Sequence, residues 1–174
     1  FKLIDRDART ATVFERADAA APVGEFVPTR IDEIDIDANA AGATRLSYQV
    51  SGGKAFLETA IADPPSITCN GSWSTIERGC SALKYVYADV PTGVPGLRKR
   101  LTGIKLRTYA PELVGNSNAT CDTSGPTDKM CEIAVASYAY DSAGRLYQAW
   151  DPRLPTLKTT YAYSSGTVPG SPFV

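Results

Sequence analysis

Turn-forming residues recur too often in this chain for long helices to fit between them. Gly, Pro, Ser and Thr punctuate it roughly every 8 to 12 residues, the rhythm of an all-β protein. Between these breaks, apolar and polar side chains alternate with the period of a half-buried strand. Phe1 and Leu3, then Thr12 and Phe14, read as a hairpin around Asp5-Arg6-Asp7-Ala8. Ile34 and Ile36 alternate with Asp35 and Asp37, which predicts a strand with these acids outward. Leu46, Tyr48 and Val50 lead into a Ser51-Gly52-Gly53-Lys54 turn, and Phe56 leads the return strand. Leu83, Tyr85 and Tyr87 share one side of a further strand, as do Ile104, Leu106 and Thr108. The best helical candidate, residues 10–21, lies across a strand-like pattern. The expected fold class is all-β, built from consecutive antiparallel hairpins.

Histidine is absent. Ser-His-Asp and Cys-His catalysis, His-bearing zinc sites and histidine pH switching are therefore excluded within these residues. The four cysteines fall into two local pairs, "CNGSWSTIERGC" and "CDTSGPTDKMC". Neither has the spacing of a zinc knuckle or a thioredoxin-like redox pair. Of the three possible pairings, the natural one is two loop-stapling disulfides, Cys69–Cys80 and Cys121–Cys131. By the loop-entropy argument each adds up to roughly 3 kcal/mol, and both point to an oxidising compartment, hence a secreted or cell-surface location.

Net charge is −1, so no nucleic-acid-binding face is indicated. No apolar run approaches the roughly 20 residues needed to span a bilayer. No cofactor is expected. The opening at Phe1 without methionine, and the apolar stop at Val174, read as the ends of a segment of something longer.

Near the end the sequence says nearly the same thing twice. "YAYDSAG" begins at Tyr138 and "YAYSSG" at Tyr161. A period of about 20 residues signals an array of structural repeats, here hairpins. In the first unit the Tyr138-x-Tyr140 strand runs into a polar turn in which Asp141 can bond backbone amides. Gly144 supplies the positive φ, Arg145-Leu146 starts the return strand, and Asp151-Pro152 breaks it after Trp150. The motif Tyr138-Ala139-Tyr140-Asp141-Ser142-Ala143-Gly144-Arg145-Leu146 resembles the YD repeat of bacterial Rhs and wall-associated proteins. That repeat also occurs in teneurins and in the cocoon-forming subunits of toxin complexes. The likeness is degenerate at Tyr161 and Tyr163, where Ser164 replaces the Asp. Residues 80–89 are a weaker echo. Residues 1–134 are thus expected to be a divergent hairpin-rich segment with two stapled loops, and residues 135–174 YD-type repeats.

The resemblance implies an architecture in which hairpins join into one long sheet that spirals into a hollow shell. Such shells enclose a toxic domain or act as a stalk for cell contact. The aspartate-based self-cleaving segment that closes some of them has no counterpart here. A chain of this length is too short to close a shell, so an open, curled sheet is expected. Its edges would be met by flanking repeat segments of the same polypeptide, and the implied function is a non-enzymatic scaffold around an encapsulated toxin domain.

Asp35, Asp37 and Asn39 superficially form a calcium loop, but Ala40 and Leu46 stand where glycine and a bidentate glutamate are needed. Asp5, Asp7 and Glu15 are carboxylates without a spacing that sets two of them across a cleft. Lys84, Lys105 and Lys158 are the candidates for an isopeptide bond. Trp73 and Trp150 are the candidates for glycan stacking, which makes a carbohydrate- or cell-surface-binding module the rival function. The rival needs them exposed on a common face; the scaffold needs them packed between hairpins.

Overall fold

The alternation of short apolar-polar runs becomes a meander of antiparallel strands. The computed structural model describes residues 1–16, 26–34, 40–64, 67–91 and 97–163. Strands β1 (Lys2–Asp5), β2 (Thr10–Glu15), β3 (Val27–Ile34), β4 (Ala40–Ser51), β5 (Lys54–Asp63) and β6 (Ser81–Pro91) form the first half. Strands β7 (Leu97–Tyr109), β8 (Ala119–Cys121), β9 (Met130–Tyr140), β10 (Leu146–Trp150) and β11 (Lys158–Thr160) form the second. Among the described residues they make one 11-stranded sheet in chain order, except that β8 lies off the path. β8 pairs with β9 at 131–133 and β10 pairs with it at 137–140, so the two share one edge of β9. The helix-favouring stretch at residues 10–21 contributes strand β2. No helix among the described residues is long and apolar enough to cross a membrane.

The expected hairpins form, the first turning one residue later than expected, between the paired Asp5 and Thr10. Leu3 pairs with Thr12, and Ser51 with Lys54 across the Gly52-Gly53 turn. Leu83 pairs with Leu106 and Tyr85 with Ile104. The sheet is open: β1 and β11 pair on one side only among the described residues, and each is exposed along its whole length. Among the described residues six ladders shift register, at Val13/Phe14, Glu33/Ile34, Ser47/Tyr48, Val86/Tyr87, Ile104/Lys105 and Leu146/Gln148. Each such bulge bends its strand and adds twist, which curls a sheet that would otherwise be flatter. β9 runs unbroken through residues 134 and 135.

Register sorts the side chains into two faces. One cross-strand row runs Arg30, Arg45, Ile61, Ala82, Arg107, Glu132. The connection from β5 to β6 folds back over this face, and Ile61, Cys69, Ile76, Cys80, Ala82 and Met130 form the buried core between them, with Trp73 packed against it. The opposite face carries Leu46, Ala60, Leu83, Leu106 and Ile133 in a row, all half-buried.

Candidate functional site

Asp141 builds its turn as the motif predicts. Its Oδ1 accepts from the backbone N–H groups of Ala143 and Arg145, both at 2.9 Å, and its Oδ2 accepts from Arg145 Nε at 2.8 Å. The Arg145 backbone bond, the Arg145 guanidinium and the Ala143 amide together hold the carboxyl below its ordinary value, against a smaller opposing effect of desolvation. Gly144 sits at φ 75°, where a side chain would be strained. Leu146 opens β10, Trp150 closes it, and the chain turns at Asp151.

The second tyrosine pair behaves differently from the first. β9 carries Tyr138 and Tyr140, whereas β11 stops at Thr160, so Tyr161 and Tyr163 follow the strand rather than extend it. The turn expected at 164–166 lies outside the described residues. Even so, Tyr163 reaches back to the first unit. Its hydroxyl donates to the Leu146 carbonyl at 2.7 Å, and the Arg145 guanidinium lies 4.5 Å from its ring centroid. Two other tyrosines make the same kind of bond to the strand before them in the sheet. Tyr140 on β9 donates to the Leu101 carbonyl of β7, and Tyr48 on β4 to the Pro28 carbonyl of β3, each at 2.8 Å. Burial raises both phenols above their ordinary value.

The four cysteines form the expected bridges, Cys69–Cys80 and Cys121–Cys131. The first staples the covering connection; the second joins a directly opposed pair on β8 and β9. These two regions also hold each other. Buried Arg107 on β7 pairs with Asp122 and donates to the Ser74 carbonyl. Arg78 pairs with Asp128 at 3.2 Å, and its guanidinium lies over the Tyr109 ring. Trp73 donates its indole N–H to Glu132, which also pairs with Lys105 at 2.6 Å.

Trp73 therefore stands over the sheet with its polar edge fixed. Beside it, under the curl of β2 to β6, runs a groove of about 800 Å³ whose polar lining includes Arg45, Ser47, Glu58, Thr59 and Lys84. Trp150 falls in a different row, opposite Ser137, with Lys158 Nζ 4.5 Å from its ring centroid. Both tryptophans are half-buried, and Trp150 does not line that groove.

The remaining candidates separate. Asp5 Oδ1 accepts the amides of Asp7 and Ala8 in the first turn, while Glu15 accepts from Thr29 on β3. Asp35, Asp37 and Asn39 lie outside the described residues. Arg107, Glu132, Asp32 and Arg45 were missed by sequence reasoning. The cross-strand register puts the first, second and fourth on the same face, but nothing local says which face the connection covers. Asp32 is buried beside Arg30, its partner two residues away on one face of β3. That Arg-x-Asp spacing was the available signal.

No family model, no curated protein and no solved structure matches the chain.

Proposed function

We propose that this chain is a non-enzymatic scaffold segment of a secreted or cell-surface Rhs/YD-repeat protein. Its hairpins extend a β-shell that encapsulates or displays a toxin or adhesion domain. The observation that carries the reading is the bond from Tyr163 to the Leu146 carbonyl, with Arg145 over the Tyr163 ring. Through it, the start of one tyrosine unit fastens to the motif residues of the unit before, which is what a propagating array requires. The exposed outer strands β1 and β11 support it as well, since unpaired edges invite neighbouring strands. Two disulfides support export to an oxidising compartment.

Lys2 on β1 and Lys158 on β11 offer a direct test, because they mark the two edges. Amine cross-linking and peptide mapping of the protein from its native source would identify what lies beside each. The expected partners are further Tyr-x-Tyr hairpins of the same polypeptide. Cross-links confined to residues 1–174, or leading to a chain without such hairpins, overturn the scaffold reading.

A further inference from the structure

The groove under Trp73 holds chemistry that a scaffold leaves unused. Its aromatic wall is preformed: Trp73 is held at its N–H by Glu132 and carried on a connection closed by the Cys69–Cys80 bridge. In the same groove the hydroxyls of Ser47 and Thr59 stand 2.6 Å apart, and Glu58 adds a carboxylate. Hydroxyls and a carboxylate beside a flat aromatic surface suit a polyol, which needs donors and acceptors on its edge and an apolar surface for its ring.

The cations narrow the class. Arg45 lies 3.6 Å from Asp63, beyond a charge-assisted hydrogen bond, and its Nε and Nη2 have no hydrogen-bond partner. Lys84 makes no ion pair among the described residues, and its ammonium stands 5.9 Å from the Trp73 ring centroid. A neutral sugar would leave the Lys84 ammonium without a counter-charge. A phosphate or sulfate polyanion would meet Glu58 and Glu15, which line the same groove. Three cations line the groove, Arg30, Arg45 and Lys84, against two carboxylates, Glu15 and Glu58, and a single carboxylate on a sugar ring balances them.

We propose that this groove binds a uronate-type saccharide, its ring against Trp73 and its carboxylate toward Arg45 and Lys84. A volume of about 800 Å³ is within the range of small-molecule sites. The proposal does not rest on the scaffold reading, and the cross-linking result leaves it untouched.

The test uses the intact, disulfide-bonded chain carrying Trp150→Phe, so that emission reports Trp73 alone. An oligogalacturonate and its fully methyl-esterified form are titrated in parallel at low salt. The acid is expected to shift Trp73 emission saturably and to bind about tenfold or more tightly than the ester. Arg45→Gln and Lys84→Gln should each weaken the acid by about tenfold without moving affinity for the ester. If Arg45→Gln unfolds the chain, Lys84→Gln, at a half-exposed position, carries the comparison. Absence of a saturable shift, equal affinity for acid and ester, or indifference to Lys84→Gln overturns the proposal.

Discussion

The Trp73 indole N–H donates to Glu132 Oε2 at 3.1 Å across 59 residues of chain. Burial alone would push the Glu132 carboxyl up. The Lys105 bond and charge, the Trp73 N–H and the Arg107 charge together outweigh it and hold the group below its ordinary 4.5. A carboxyl depressed in the folded state adds stability that is present above 4.5 and is lost as pH falls through the folded value. Glu132→Gln is therefore expected to be less stable than the parent at neutral pH, with the difference shrinking on acidification. Urea midpoints from neutral pH down to about 3, read by tryptophan emission, check this; a pH-independent difference would assign Glu132 a packing role only.

At Gly71 the covering connection passes close to its own backbone. A Cβ there would stand 2.7 Å from the backbone of Thr75 and Ile76. Gly71→Ala is expected to cost about 1 to 3 kcal/mol, as forced repacking does. Because Ile76 is fully buried and Trp73 lies between the two, the same variant should red-shift tryptophan emission. Denaturant titration with emission spectra measures both.

The three tyrosine-to-carbonyl bonds differ in exposure, and their removal should differ accordingly. Tyr48→Phe and Tyr140→Phe are each expected to lose about 0.5 to 1.5 kcal/mol, the net worth of a hydrogen bond. Tyr163→Phe, at an exposed position, should lie at or below the bottom of that range. Equal losses at all three would mean that enclosure does not set the strength of these locks. Denaturation midpoints of the three variants decide it.

Gly144 is needed for its backbone. At φ 75° an alanine would be strained, and Gly144→Ala should cost about 1 to 2 kcal/mol. Asp141→Ala, which removes the acceptor of three bonds in the same turn, should free the β9–β10 hairpin locally. Hydrogen exchange is expected to accelerate at Leu146–Trp150 in both variants while the amides of β4 and β5 keep their protection.

Much of the fold follows from local rules, and those parts were legible. Period-two alternation set Leu46, Tyr48 and Val50 on a strand. Two glycines fixed the turn at 52–53. The Asp141 turn needed only its own nine residues, and the short cysteine spacings left one natural pairing. Where the pattern thinned, at Tyr161 and Tyr163, the strand ended early.

The tertiary structure decided which face the β5–β6 connection covers and what that cover meets. Ion pairs such as Arg78–Asp128 and Arg107–Asp122, and the Trp73–Glu132 bond, join residues that no periodicity relates. Their meeting depends on the curl of the sheet, and the curl depends on six register shifts spread over separate ladders. A bulge inserts a single residue and flips no local propensity, so its position is not written in a strand's alternation. Most of the strands, the Gly52-Gly53 and Asp141 turns and the disulfide pairs follow from neighbours in the chain. The covered face, the cross-loop ion pairs and the groove under Trp73 exist only once strands far apart in sequence are bent toward one another.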